Sequence, residues 1–212
     1  MDADFWLQKW EKNDIGFHQS EANPFLVKYF NQLSLAPGGR VFLPLCGKTL
    51  DIAWLLSKQC QVVGIELIET AILQLFAELQ IVPARSDLGA LIHYSAENLD
   101  LFVGDIFDLS TAVLGPVDAV YDRAALVALP RSSRIRYTSQ IRELSAQAPL
   151  LLLGYEYDQA QMEGPPFSVD GEQINEHYGD CYDVALLESI EVSGGCKGIC
   201  AVKESVWLLR KN

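Results

Sequence analysis

The sequence is short of cations, cysteines and long apolar runs, and each shortage excludes a class of protein. Sixteen lysines and arginines stand against 28 aspartates and glutamates, a formal charge of −12. Such a surface repels phosphate backbones and anionic lipid, so a small molecule is expected as partner, with no nucleic acid and no membrane. No stretch approaches the roughly 18 apolar residues of a membrane-spanning helix. The opening Met1-Asp2-Ala3-Asp4-Phe5-Trp6 lacks the basic region and apolar run of a signal peptide. The five cysteines, Cys46, Cys60, Cys181, Cys196 and Cys200, are odd in number and scattered, which reads as reduced thiols in the cytoplasm. Cys196 and Cys200 have the wrong spacing for a zinc knuckle and no second Cys/His pair, so no metal is expected. Phosphate-cradling glycines are also missing. Gly47-Lys48-Thr49 suggests a P-loop, but Phe42 stands where its first glycine belongs, and a lone glycine does not make the G-x-G-x-x-G of dinucleotide sites.

What is present reads as one globular α/β domain over residues 1–212. Half of the residues are hydrophobic and 21% are charged, an ordinary globular balance. Short runs rich in Val, Ile and Leu alternate with helix-period stretches, the pattern of a mostly parallel sheet with helices on both faces. Strands are expected at 40–45, 61–65, 99–103, 117–121 and 150–153. Helices are expected at 51–58, 69–79 and 131–147. Residues 185–192 and 202–209 flank Gly194-Gly195 and suggest an antiparallel edge pair. Phe5 to Gln32 forms a helix or two carrying Trp6, Trp10, Phe17 and Phe25, and a more polar stretch, 80–98, leads to the strand at 99–103.

Ligands of open α/β sheets bind outside the carboxyl ends of the strands. The first strand finishes in Pro44-Leu45-Cys46-Gly47-Lys48. Glu66 closes the second strand, 21 residues after Leu45, where a carboxylate can accept both hydroxyls of a ribose; the plain alternative is an acid favoured by the following helix dipole. Asp105, after the third apolar strand, can meet an adenine edge or simply make an Asx turn before Ile106. Asp122-Arg123 closes a further strand, and a cation there suits a carboxylate of cofactor or substrate; a local Asp–Arg pair is the alternative. Together these positions favour a nucleoside ligand without polyphosphate, namely S-adenosyl-L-methionine.

The residues also resemble those of the thiopurine S-methyltransferase family. The likeness runs through Trp6-x-x-x-Trp10, Ile15-Gly16-Phe17-His18-Gln19 and Val41 to Lys48. It continues in Val63-Gly64-Ile65-Glu66, Tyr121 to Leu129, Tyr155-Glu156-Tyr157-Asp158 and Gly164-Pro165-Pro166-Phe167. The resemblance implies a class I S-adenosylmethionine-dependent methyltransferase fold, Rossmann-like. It would have a seven-stranded, mostly parallel sheet, a C-terminal antiparallel hairpin and an N-terminal helical lid over residues 1–35 that orders on ligand binding. It implies cofactor roles for Trp10, Leu45, Glu66 and Arg123, places Asp105-Ile106 by the adenine and Phe17 over the cofactor, and points to a monomer. For the tryptophans, core packing is the alternative.

The implied reaction moves a methyl group from a sulfonium to a thiopurine or similar aromatic thiol. A soft nucleophile needs placement more than a strong base, so no obligate catalytic group is expected; Asp122 and Arg123 are candidates for orienting the substrate. Relatives often carry an arginine before the last strand, whereas this loop, 193–198, has Lys197 as its cation, a flexible point charge, and its glycines predict mobility. Methylation of selenium or tellurium compounds is the alternative enzyme reading, and binding without turnover the alternative from another class. His18 follows Phe17 in the lid with no assigned role.

Overall fold

The computed structural model describes residues 3–192, 194–195 and 201–212. By contacts the chain forms two compact units, one ending at Ala119 and one beginning at Val120.

The first unit carries helices α1 (Ala3–Glu11), α2 (Pro24–Tyr29), α3 (Asp51–Ser57), α4 (Glu69–Leu79) and α5 (Thr111–Leu114). Its strands are β1 (Arg40–Pro44), β2 (Gln61–Glu66), β3 (Ala84–Asp87), β4 (Ile92–Ala96) and β5 (Leu99–Val103), in the order β3-β4-β5-β2-β1. β1, β2 and β5 are mutually parallel and buried along nearly their whole length. Burial on both faces is why they read as unbroken apolar runs. α4 covers them with Ala71, Ile72, Leu75 and Phe76, a stripe at helical spacing. Two helices occupy the N-terminal segment. Asn23 caps α2 by accepting from the Phe25 amide at 2.9 Å, while its own amide donates to Asp51 Oδ1 at 2.6 Å. Both residues are 1% exposed, so Asp51 ties the N-terminal segment to the start of α3.

The pair β3–β4, in the more polar stretch 80–98, brings the described strands to nine, against the seven expected. β3 is exposed throughout, so it has no apolar signature. Cross-strand pairs hold the addition to β5 instead. His93 lies opposite Phe102 and stacks on it with ring centroids 4.7 Å apart, and its Nε2 is 2.8 Å from Asp100 Oδ1. The Arg85 guanidinium lies 5.9 Å from the centre of the Tyr94 ring.

The second unit contains β6 (Ala119–Asp122, beginning on the last residue of the first unit), α6 (Arg131–Leu144), β7 (Leu150–Glu156), α7 (Gly171–Tyr178), β8 (Tyr182–Glu191) and β9 (Lys203–Lys211). The order is β6-β7-β9-β8, with β6 and β7 parallel and the remaining pairs antiparallel. Leu150–Leu153 is buried on both faces as its composition requires. The expected hairpin is present and longer than its apolar signal. Asp170 caps α7, its side chain accepting from the Gln173 amide at 2.8 Å. Each unit is thus α/β, its parallel strands continued by an antiparallel pair.

Gly104, just past β5, supplies a prediction. Its φ is +145°, and a Cβ there would lie 2.5 Å from Leu91 Cδ2 and 3.0 Å from the Ala90 carbonyl. Gly104→Ala is expected to destabilise the fold by about 1–3 kcal/mol. Gly16→Ala, in open space and at an ordinary φ, should change the thermal midpoint little; equal midpoints for the two variants would refute the argument.

Candidate functional site

β1, β2 and β5 finish side by side. Pro44 is level with Ile65, and Glu66 with Val103. The chain turns sharply after each strand, and the turns are stitched together: the Cys46 amide donates to the Ile65 carbonyl at 3.0 Å, and the Gly104 amide to the Glu66 carbonyl at 2.9 Å. Leu45 (φ 46°) and Gly47 (φ 55°) both adopt the left-handed region, which folds the Leu45–Lys48 turn back over the end of β2.

Glu66 stands at the centre of this row, 7% exposed. Its Oε2 accepts from the Gly47 amide at 2.8 Å and its Oε1 from the Ile68 amide at 3.0 Å. Burial pushes its carboxyl up from the ordinary value, and the amides of Ile68, Gly47 and Leu67 pull it back. A carboxylate has about four acceptor sites, so acceptor capacity remains on both oxygens. Asp105 Oδ1 accepts from the Phe107 amide at 3.0 Å, so the Asx turn weighed above is formed and spends that oxygen locally. Ile106 is buried directly after it.

Aromatic side chains lie over the Gly47 turn. A Cβ on Gly47 would sit 3.4 Å from Trp10 Cζ2 and 3.7 Å from Phe17 Cε2. Trp10 and Phe17 meet edge to face at 5.9 Å, and Trp6 and Phe17 at 6.0 Å. Trp10 is buried with Ile15, Ile68 and Ala71, while Trp6 and Phe17 remain half-buried against that cluster. Lys48 does not face a phosphate cradle; its Nζ is 2.6 Å from Glu78 Oε1. Cys46 is buried, and burial together with the Glu66 charge raises its thiol well above the usual range, which keeps it inert. Its Sγ would lie 2.9 Å from a Cβ on Gly64, so that glycine is a packing requirement. His18 is half-buried, its amide bonded to the Ile15 carbonyl.

In the second unit, the neighbours Asp122 and Arg123 part company. Asp122 belongs to β6 and is fully buried. Its Oδ1 accepts from the Leu126 amide at 3.1 Å and its Oδ2 from the Tyr137 hydroxyl at 2.7 Å. Burial raises its carboxyl from 3.8 to about 6. From the interior it braces the turn that passes through Ala124 at φ 61°. Arg123 lies just past the end of β6. It is half-buried, and its charge lowers the Glu204 carboxyl. Glu204 also accepts from the Tyr155 hydroxyl at 3.3 Å. Tyr155 lies in the Tyr155–Asp158 motif, whereas Tyr137 and Glu204 have no sequence signal of their own and become visible through helix packing and strand register.

Ser193, Cys196, Lys197 and Cys200 lie outside the described residues, and with them the expectations for the 193–198 loop. Among the described residues no helix is long and apolar enough to cross a membrane.

Known proteins share both the fold and the sequence. The crystal structure of the Burkholderia thailandensis 1,6-didemethyltoxoflavin-N1-methyltransferase, with bound 1,6-didemethyltoxoflavin and S-adenosylhomocysteine, superposes with a TM-score of 0.67 at 13% identity, covering 99% of this chain and 87% of that one. A TehB-like S-adenosylmethionine-dependent methyltransferase from Corynebacterium glutamicum gives 0.58 at 12% identity, covering 99% and 98%. At these identities the likeness speaks for the fold. The thiopurine S-methyltransferase of Xanthobacter autotrophicus is 52% identical over 212 residues, the full length of both chains. That of Teredinibacter turnerae is 50% identical, covering 100% of this chain and 99% of its own. The thiopurine S-methyltransferase family also matches residues 1–212, and the chain belongs to that family.

Proposed function

We propose that the turns after β1, β2 and β5 hold S-adenosylmethionine by its nucleoside, and that Glu66 takes the ribose hydroxyls. The observation that carries this reading is the Glu66 carboxylate, fixed by the Gly47 and Ile68 amides with acceptor capacity left on both oxygens. A donor set of one carboxylate, a left-handed turn and aromatic rings, without a run of phosphate-cradling amides, fits a nucleoside lacking polyphosphate. Leu45 and Trp10 flank the cofactor, Phe17 covers it, and Asp105 with Ile106 borders the adenine.

The enzyme is an S-adenosylmethionine-dependent methyltransferase acting on the sulfur of thiopurines. When bound, the cofactor supplies a methyl group on a sulfonium, already activated for transfer to a soft nucleophile. The chain's task is placement and exclusion of water. Trp6, Trp10 and Phe17 form the apolar cover. Holding the acceptor sulfur in line is worth roughly 7–11 kcal/mol. Arg123 is assigned to a carboxylate of the cofactor or to an anionic acceptor. A monomer in the cytoplasm, with no nucleic acid partner, accompanies this reading; it is supported by the charge of −12 and by the free thiols of Cys46, Cys60 and Cys181.

Calorimetric titration with S-adenosylhomocysteine tests the cofactor site, and methyl transfer to 6-mercaptopurine tests the acceptor. Micromolar binding with turnover is expected. No binding at millimolar ligand refutes the cofactor assignment, and turnover of selenite without 6-mercaptopurine shifts the acceptor class. Arg123→Ala is expected to lower kcat/KM about 10- to 100-fold, the loss of one charged hydrogen bond. An unchanged value removes Arg123 from the site.

A further inference from the structure

Glu204 is a half-buried carboxylate for which the fold has no evident use. It lies on β9 directly opposite Tyr155 of β7, at the edge where β7 ends and β9 begins. Among the described residues its hydrogen bond is the long one from Tyr155, at 3.3 Å. Tyr155 in turn packs against an apolar cluster of Tyr157, Met162 and Val202, with Val192 beside it. A carboxylate held next to such a wall loses hydration without gaining a strong partner, and an arrangement of that kind is weak as a stabilising device. Burial raises the Glu204 carboxyl, while the Tyr155 hydroxyl and the Arg123 charge lower it. The result is a carboxylate bonded to a tyrosine that packs on an apolar cluster, with the Arg123 charge acting on it.

We propose that Glu204 reads the acceptor substrate: it accepts the ring N–H of a heteroaromatic thiol in its thioamide form and takes that proton as the sulfur is methylated. The inference rests on the functional reading above and itself places the acceptor at the carboxyl ends of β6 and β7. Neutral thiopurines carry their hydrogen on a ring nitrogen beside a C=S group. The sulfur forms the new S–CH3 bond, and the donor's C–S bond breaks with its electron pair staying on the donor sulfur. The N–H pair becomes part of the ring C=N, and the proton moves to a Glu204 carboxylate oxygen. No metal or further reactant is needed. A weak base suffices, because methylation at sulfur acidifies the N–H in the same step. Tyr155 is a positioning residue that fixes one oxygen of Glu204 and leaves the other for the ring.

The test compares 2-mercaptopyridine, which presents an N–H beside C=S, with thiophenol, which has no ring N–H and ionises by itself. For Glu204→Gln, kcat/KM with 2-mercaptopyridine should fall about 10²-fold, the size of a general-base contribution, with thiophenol changed far less. Affinity for S-adenosylhomocysteine, measured by calorimetry, should not move. Glu204→Asp should recover part of the lost rate, and Tyr155→Phe should show a milder, equally selective loss, so the argument does not depend on one variant folding. Equal losses on both acceptors, or none on 2-mercaptopyridine, overturn the proposal. Failure of the unaltered enzyme to bind S-adenosylhomocysteine would instead count against the cofactor site, which keeps the two readings separable.

Discussion

Glu66→Ala is expected to weaken binding of S-adenosylhomocysteine about 10²- to 10⁴-fold. Each hydrogen bond from a ribose hydroxyl to a carboxylate is worth roughly 1.5–3 kcal/mol, and the assignment calls for one on each oxygen. The variant also releases the amides of Gly47 and Ile68, which Glu66 holds at 2.8 and 3.0 Å, so the Leu45–Lys48 turn loses its brace along with the ligand contact. Glu66→Gln separates these contributions. It keeps one acceptor oxygen and sets an NH2 donor against an amide N–H, so its loss should be intermediate. The pH dependence has a definite sign. Burial raises the Glu66 carboxyl above its ordinary value of 4.5, and the ionised form is the stronger acceptor. Affinity of the unaltered enzyme should therefore begin to fall, on acidification, at a higher pH than an exposed glutamate would give, and Glu66→Gln should lack that fall. Calorimetry across the acid range reads both effects. A dissociation constant within twofold of the unaltered protein for Glu66→Ala would end the ribose assignment.

The parts of the fold legible in the sequence are those where burial and pattern coincide. Leu150–Leu153 and Val62–Ile65 are covered on both faces, so composition alone marks them. β3 has an exposed residue at every position and depends on Tyr94 of β4, which lies opposite Arg85, as β4 depends in turn on Phe102 of β5. α7 buries Ile174, His177 and Tyr178, a helical spacing too brief to stand out. Glu66 was legible because the end of a parallel strand is a place, and a carboxylate there has few alternatives. Asp122 was harder. Ending the strand at Tyr121 leaves Asp122 on a loop beside Arg123, whereas β6 extends through it and the pleat turns its side chain inward. Glu204 needs the β7–β9 register before its facing of Tyr155 can be seen at all.

Asp122→Asn is expected to change stability in opposite senses at the two ends of a modest pH range. The folded carboxyl titrates near 6, against 3.8 for an ordinary aspartate, so the folded protein binds this proton more tightly than the unfolded chain. Between those values the native state carries more of the proton, and stability falls as pH rises through the window. Above it the ionised group costs on the order of 3 kcal/mol relative to its protonated form. Asparagine keeps the shape and stays neutral, so it escapes that cost at pH 8. At pH 4 to 5 it compares poorly with a protonated aspartate, because its NH2 faces the Leu126 amide or the Tyr137 hydroxyl. The groups around Asp122 do not supply a compensating cation: Tyr137 comes from α6, and Tyr178 from α7 is buried with no hydrogen-bond partner for its hydroxyl among the described residues. Denaturant unfolding of both proteins at several pH values reads the difference directly. A gap between them that stays constant with pH would mean that the Asp122 carboxyl is not displaced from the ordinary range. If the gap closes or reverses as pH rises, the carboxylate is held at a cost near neutral pH. The bonds it makes at the Leu126 amide and the Tyr137 hydroxyl then explain its place, because they fix the turn from which Arg123 leaves.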